Sequence, residues 1–89
     1  MRRRLPTRAF EKDVKRLDDR GVRLDPLFRI IEILQNDGRL PISFRPHKLH
    51  GEWARYWECH VGNDWLLVYA VTDREVVLYR TGSHTDIFE

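Results

Sequence analysis

The apolar run LLVYAV at residues 66–71 is the most hydrophobic stretch of the 89-residue sequence, and it limits the possible folds more than any other feature. A short, unbroken apolar run between turn-forming segments is typical of a strand that is covered on both faces. The dipeptide Gly62-Asn63 before it favours a tight turn, and the polar segment 72–75 after it favours a second one. The sequence therefore predicts a central antiparallel strand over Trp65–Val71.

Further strands are indicated on both sides of this run. Residues 53–61 are rich in aromatics and follow a period of two, with Glu58 and His60 on one face and Trp53, Trp57 and Cys59 on the other. Residues 75–80 predict a third strand, and residues 86–88 a short tail that packs back on the domain. Residues 2–5, ended by a proline, could add a first strand.

Two helices are predicted in the N-terminal half. Thr7 is a suitable N-cap, and an apolar stripe with helical spacing follows it before Gly21 ends the first helix. Asp25 and Pro26 fit the N-cap and first position of a second helix that ends at Gly38. The expected stripes are Phe10, Val14 and Leu17, then Leu27, Ile30, Ile31 and Leu34. We expect one α+β domain over residues 1–89, with the two helices packed on a mainly antiparallel sheet of three to four strands.

Composition restricts the setting in which such a chain can work. The sequence has a single cysteine, Cys59, which excludes an internal disulfide and fits a reducing cytoplasm. No apolar run reaches the ~20 residues of a membrane span, and the basic N-terminus lacks the apolar segment of a secretory signal. Residues 1–24 contain nine Arg and Lys against four Asp and Glu. This clustered positive charge indicates a polyanionic partner, although it also suits a solvated helix face.

Four histidines, an aspartate and an arginine fall at predicted strand ends or in adjoining loops: His47, His50, His60, His84, Asp64 and Arg80. Histidine titrates near neutral pH, so two imidazoles can serve as proton acceptor and proton donor in one reaction. RNA cleavage through attack of the 2′-hydroxyl needs such a pair and a cation for the phosphoryl oxygens. Taken alone, the set also fits histidines that cap, pack or face water.

Two other functions use the same residues. His47 and His50 with Cys59 and His60 provide zinc-ligand types, but neighbouring strand residues point to opposite faces and no zinc spacing results. We expect no metal and no cofactor. The aromatic residues could instead stack on RNA bases without any cleavage, although most are expected in the core. Trp65 and Phe88 are the two that we expect at the rim of a site.

Four blocks of the sequence together resemble the YafQ branch of the RelE-like toxins of bacterial type II toxin–antitoxin pairs. The blocks are HKLHGEW at 47–53, residues 56–60, DWLLVY at 64–69, and RTGSH-x-x-IF at 80–88. The resemblance implies a compact α+β fold and a ribosome-dependent endoribonuclease that cleaves mRNA in the ribosomal A site. It also implies a cognate antitoxin as partner, for which an acidic, partly disordered chain would suit the basic surface.

The family's functional residues transfer by position to His47, His60, Asp64, Trp65, Arg80, His84 and Phe88. On this basis His60 and His84 are the expected base–acid pair, with His47 as a third candidate. Asp64 would orient a histidine, and Arg80 would bind the scissile phosphate. The resemblance leaves open which histidine is the base.

Two positions depart from the family pattern. Trp57 stands where an arginine is common, so the charge of the transition state would rest on Arg80 or be shared with Lys48. His50 lies at a variable position and is expected on the surface.

The sequence thus predicts a cytoplasmic, metal-independent mRNA endoribonuclease whose basic first helix contacts ribosomal RNA. Lys48, Trp65 and Phe88 are the expected RNA-binding residues. The main alternative is a module that binds RNA or the ribosome and blocks translation without cutting. A gyrase-poisoning relative in the same superfamily is a third possibility, against which the retained histidines argue.

Overall fold

The computed structural model describes residues 1–88, which form a five-stranded sheet and three α-helices. The elements in chain order are β1 Arg3–Pro6, α1 Arg8–Asp19, α2 Asp25–Asp37, β2 His47–Lys48, β3 Trp57–Gly62, β4 Trp65–Val71, β5 Glu75–Gly82 and α3 His84–Phe88. Single 3₁₀ turns occupy Ile42–Phe44 and Gly51–Trp53. The α+β class is confirmed, with five strands where three to four were predicted. The predicted C-terminal tail is a short helix.

The sheet is mixed, in the order β1-β5-β4-β3-β2. Only β1 pairs in parallel, with β5, and every other pair is antiparallel. β4 lies at the centre, and its residues from Leu66 to Tyr69 are all buried, as the apolar run predicts. Between α2 and β3, His47 and Lys48 pair with β3 and form the short edge strand β2.

The helix ends follow the capping residues closely. The Thr7 hydroxyl accepts a hydrogen bond from the backbone N–H of Phe10, which confirms this residue as the N-cap of α1. α2 begins at Asp25 with Leu24 as its N-cap, one residue earlier than predicted. It ends at Gly38, whose φ of 77° is a left-handed conformation that glycine adopts without a Cβ clash. Within residues 1–88, no helix is both long enough and apolar enough to span a membrane.

Each face of the sheet is covered by its own apolar cluster. The helix-side core lies under α1 and α2 and contains the buried residues Phe10, Leu27, Ile30, Ile31, Leu34, Leu40, Cys59, Leu67, Tyr69, Val76 and Leu78. The distal cluster lies on the opposite face and contains Leu66, Val68 and Ile87, against which Leu49, Trp53, Tyr56, Tyr79 and Phe88 pack. α3 is therefore held on the sheet face that α1 and α2 leave uncovered.

Two predictions for the segment before β3 were wrong. The strand begins only at Trp57, because Gly51–Trp53 forms a 3₁₀ turn instead of continuing the sheet. Trp53 consequently packs in the distal cluster and does not share a face with Cys59. The turn into β4 also lies at residues 63–64, one position later than expected.

Beyond the end of β1, the side chains of Thr7 and of Asp13 in α1 form the hydrogen bonds to the β5 backbone. β1 pairs with β5 as far as Leu78, and Pro6 ends it. Beyond that point the Thr7 hydroxyl donates to the Tyr79 carbonyl, and the Asp13 carboxylate accepts from the backbone N–H of Thr81. Asp13 is therefore only 1% exposed, although acids on an amphipathic helix usually face solvent. Its carboxylate replaces a missing strand partner.

The thiol of Cys59 should be unreactive in the folded protein. Burial, and secondarily the negative charge of Glu58, raises the pKa of the thiol from 9.0 to about 12. Because the thiolate is the reactive form, alkylation by iodoacetamide at pH 8 should be about three orders of magnitude slower in the native than in the denatured chain. The linked stabilisation is complete below pH 9.0 and is lost as pH rises towards 12. Native alkylation at the rate of the denatured chain would contradict this burial.

Candidate active site

Strand pairing places one residue from each of four strands, β2 to β5, in a row across the sheet. His47 pairs with Glu58, Glu58 pairs with Val68, and Val68 pairs with Arg80. Val68 belongs to the distal cluster, so this row starts from the sheet face opposite α1 and α2. Neighbouring strands are ~4.8 Å apart, which puts the backbones of Glu58 and Arg80 about 10 Å from each other.

A second row lies next to the first, towards the β3–β4 turn. His60 pairs with Leu66, which pairs with Gly82. His84 follows two residues later at the start of α3, and its backbone N–H donates to the Asp64 carboxylate over 3.4 Å. Strand register therefore brings His60, Asp64 and His84 to one end of the sheet.

His47 lies between two hydrogen-bond acceptors. Its Nε2 is 3.2 Å from Oε1 of Glu58, and its Nδ1 is 3.3 Å from the carbonyl oxygen of Arg45. These two contacts fix the histidine ring against the sheet beside Glu58, which is only 8% exposed. Glu58 was not among the predicted site residues, although its period-two spacing from His60 placed it on the same face.

The ring of His60, in contrast to that of His47, faces a hydrogen-bond donor. Its Nδ1 is 3.5 Å from Nη2 of Arg45, and a guanidinium can only donate, so this contact needs a free lone pair on Nδ1. Arg45 follows the 3₁₀ turn Ile42–Phe44 with a φ of 51°, the left-handed conformation that non-glycine residues rarely adopt. The strained residue holds a cation beside the half-buried His60. Nothing in the sequence indicated this role, because loop conformation decides it.

Arg80 is held by a bidentate ion pair with Asp13. Its Nε lies 2.7 Å from Oδ2 and its Nη2 lies 3.1 Å from Oδ1, while Nη2 also donates to the Asp86 carbonyl. The hydrogen bond to Asp13 is the main cause of a raised pKa for Arg80. Among the bonds formed by residues 1–88, Nη1 has no acceptor, so this edge of the guanidinium remains available to a phosphate.

α3 is fixed at its start by a reciprocal pair of bonds. The Ser83 hydroxyl accepts from the Asp86 backbone N–H, and the Asp86 carboxylate accepts from the Ser83 backbone N–H. This is the arrangement of a capping box. The bond from the Ser83 backbone is the main cause of a lowered pKa for Asp86. The exposed ring of His84 then lies 5.1 Å from the ring of Phe88.

The three predicted RNA-binding residues lie in different places. Lys48 pairs with Trp57, on the sheet face opposite His47. Trp65 packs against the helix-side core, and its Nε1 donates to the Thr81 hydroxyl over 2.9 Å. Phe88 is half-buried in the distal cluster, with its ring 5.2 Å from that of Trp53. Only Phe88 therefore adjoins the histidine set.

Potential metal ligands do not gather anywhere in the part of the chain that the structure describes. Among residues 1–88, no group of three or more His, Cys, Asp or Glu side chains is placed to hold an ion. Cys59 belongs to the helix-side core, whereas His60 pairs with Leu66 of the distal cluster. The two neighbours thus face opposite sides of the sheet.

Comparisons with known proteins agree on one family. The family described as "Bacterial toxin of type II toxin-antitoxin system, YafQ" matches residues 2–89. The mRNA interferase toxin YafQ of Escherichia coli K12 is 35% identical over 80 residues, which cover 89% of this chain and 87% of that protein.

Solved structures show the same similarity. The crystal structure of YafQ from E. coli BL21(DE3) has a TM-score of 0.91 at 31% identity and covers all of both chains. The toxin in the crystal structure of the E. coli DinJ–YafQ toxin–antitoxin complex has a TM-score of 0.89 at 32% identity, over 99% of this chain and 98% of that one.

Replacing Asp13 by Asn should destabilise the fold by about 3–5 kcal/mol, since it breaks a buried ion pair and leaves Arg80 without its partner. The same carboxylate also binds Nη2 of Arg16 and the N–H of Thr81. Urea unfolding measures the difference. Asp19→Asn, which removes an exposed pair with Lys15, is the matched control and should change stability by less than about 1 kcal/mol. Equal effects of the two substitutions would contradict the role of Asp13.

Asp86 should stabilise the protein in a pH-dependent way. Its lowered pKa means that the stabilisation is complete above the ordinary value of 3.8 and is lost as pH falls through the pKa of the folded state. The stability difference between the wild type and Asp86→Asn should therefore shrink on acidification from pH 6. Chemical unfolding at a series of pH values tests this, and a difference that grows below pH 4 would show the opposite sign.

Proposed function

The chain belongs to the YafQ family of bacterial toxins of type II toxin–antitoxin systems, and on that premise we propose that it is a ribosome-dependent mRNA endoribonuclease. The observation that supports the proposal is the strand register, which puts His60 in one row with Leu66 and Gly82, two residues before His84, while Asp64 binds the backbone of His84 and Arg45 contacts His60. The entire chain, residues 1–89, acts as one toxin domain.

The proposed reaction is a transesterification. One histidine takes the proton of a ribose 2′-hydroxyl while its oxygen attacks the adjacent phosphorus, and the bond from phosphorus to the 5′-oxygen breaks. The second histidine gives a proton to the departing 5′-oxygen. One proton is taken and one is given, so the products are a 2′,3′-cyclic phosphate and a 5′-hydroxyl.

We assign the proton acceptor to His60 and the donor to His84. In the free protein Arg45 occupies Nδ1 of His60 and keeps it as an acceptor. A bound phosphate is a stronger partner for the guanidinium than an imidazole, so RNA would draw Arg45 away and free Nδ1 to accept the hydroxyl proton. His84 is exposed and supported by Phe88 and Asp64, a position suited to delivering a proton.

His47 and the arginines have supporting roles in this proposal. His47, held by Glu58 on the same sheet face as His60, is the second candidate for the proton donor. Arg80 offers Nη1 to the phosphoryl oxygens while Asp13 keeps the guanidinium oriented. Two guanidinium groups near one phosphate can stabilise the charge that develops in the transition state.

No step of this reaction needs a metal ion, so we propose that cleavage is metal-independent. The base, the acid and the charge-stabilising groups are all protein side chains. The nine Arg and Lys of residues 1–24 would contact ribosomal RNA phosphates and hold the toxin in the ribosome, where the codon reaches the distal face.

The expected protein partner is an antitoxin. E. coli YafQ forms a toxin–antitoxin complex with DinJ, and by analogy we propose a cognate antitoxin for this chain. The basic N-terminal region favours an acidic, partly disordered partner. Because the substrate is mRNA on the ribosome, the cytoplasm is the proposed site of action.

Alanine substitution of His60 or His84 should abolish growth arrest and lower mRNA cleavage by about 10²–10⁴-fold, the usual contribution of a proton-transfer group. Primer extension on translated mRNA measures cleavage, and circular dichroism checks that the variants fold. His50→Ala is the matched control, since His50 is an exposed histidine outside the two rows.

Two outcomes would contradict the proposal. Undiminished cleavage in both the His60 and His84 variants would remove the site assignment. Growth arrest by the wild type without any cleavage product would favour the alternative, a module that binds the ribosome or RNA and blocks translation without cutting.

A further inference from the structure

A cavity of about 410 Å³ lies on the helix side of the sheet, away from the histidines. It opens between the segment that follows α2 and strands β3 and β4. Its lining consists of Gly38, Arg39, Leu40, Pro46, Arg55, Trp57, Tyr69 and Val71. Its volume falls within the roughly 300–1,000 Å³ of small-ligand sites.

The cavity has an aromatic surface formed by Trp57 and Tyr69. Trp57 and Tyr69 are paired across β3 and β4, so both rings start from the same face. Tyr69 is buried and forms part of the floor, whereas Trp57 remains 40% exposed. A large exposed tryptophan beside a cavity offers a flat surface on which a ring can stack.

Positive charge surrounds this surface without acidic compensation. Arg39 and Arg55 line the cavity, and Lys48 lies directly across the β2–β3 pair from Trp57, with Cβ atoms about 5 Å apart. Among residues 1–88, none of the three cations forms an ion pair, and no acid lines the cavity. An aromatic floor with a rim of cations suits a ligand that is both flat and anionic.

We propose that this cavity is a second RNA site, in which one unpaired base stacks on Trp57 while Arg39, Arg55 and Lys48 bind the flanking phosphates. Stacking aromatics beside basic groups are the usual means by which proteins hold single-stranded RNA without reading its sequence. The inference rests on the proposed function for the identity of the ligand. It extends that function, because the RNA strand would contact both faces of the sheet.

Single-stranded RNA fits these observations better than an acidic peptide. Three cations spaced around one aromatic match a chain that carries a charge on every unit and a flat ring between charges. An acidic peptide would need only the charges and would leave the exposed face of Trp57 without a matching ring.

The test uses a short, fluorescently labelled 2′-O-methyl RNA, which can be bound but cannot be cleaved through its 2′-oxygen. Trp57→Ala should weaken its binding to the full chain about tenfold, whereas Trp57→Phe should keep most of the affinity because a ring is retained. Arg39→Gln/Arg55→Gln should weaken binding and lower the salt dependence by roughly 1.4 in log–log slope.

The controls match the chemistry of each change. Phe28→Ala removes another exposed aromatic, and Arg29→Gln/Arg74→Gln removes the same charge outside the cavity and outside the basic N-terminal region. Both should leave binding within about twofold of the wild type. Melting temperatures establish that every variant is folded, and Trp57→Phe keeps the test valid if Trp57→Ala does not fold.

Three results would overturn the inference. The first is an unchanged RNA affinity in folded Trp57→Ala, and the second is an equal loss of affinity in the control variants. The third is that nucleotides fail to displace the RNA while an acidic aromatic peptide binds in the cavity. Because the probe cannot be cut, failure here is separate from failure of the nuclease. Absence of mRNA cleavage with Trp57-dependent binding intact would instead contradict only the proposed reaction.

Discussion

The buried Asp13 carboxylate is the interaction on which the arrangement of the site depends. It accepts hydrogen bonds from Arg80, Arg16 and the backbone of Thr81, and thereby joins α1 to the end of β5. From that end α3 begins. The Asp13 carboxylate, which lies across the sheet edge, therefore sets the positions of Arg80, the proposed phosphate-binding residue, and of His84. Removing one partner from such a buried ion-pair network is costly, which makes the network a strict determinant of geometry.

The sheet separates two kinds of surface. The distal face combines histidines with guanidinium groups whose partners differ: Arg80 is bound by a carboxylate, whereas Arg45 contacts an imidazole. In the proposed reaction Arg80 is thus already oriented before RNA binds, and Arg45 moves towards a phosphate. The helix-side face offers Trp57 and the cations Arg39, Arg55 and Lys48 instead, none of which forms an ion pair within residues 1–88. Proton transfer and strand binding can then be altered independently, since the side chains involved do not share a face.

Local sequence signals predicted most of the architecture. The apolar run defined β4, the Thr7 cap and the apolar stripes defined α1, and the family resemblance was confirmed along with the α+β class. Errors arose where tertiary contacts overrule local pattern. Residues 53–56 have the composition of a strand, but the ring of Trp53 packs against the rings of Tyr79 and Phe88 instead. Asp13 looks like a surface acid because its partners, Arg80 and Thr81, are 67 and 68 positions away.

The same limit applies to the site. Strand ends and resemblance indicated the histidines, whereas Glu58 and Arg45 became apparent only from pairing register and loop conformation. The most direct test of the account is the chemistry of the cut ends, obtained by sequencing and mass spectrometry of mRNA fragments that the purified chain releases from translating ribosomes. Imidazole-driven attack by the 2′-hydroxyl predicts a 2′,3′-cyclic phosphate, or its 3′-phosphate product, facing a 5′-hydroxyl. Fragments with a 5′-phosphate and a free 3′-hydroxyl would contradict it, because those ends require attack by water instead of the ribose.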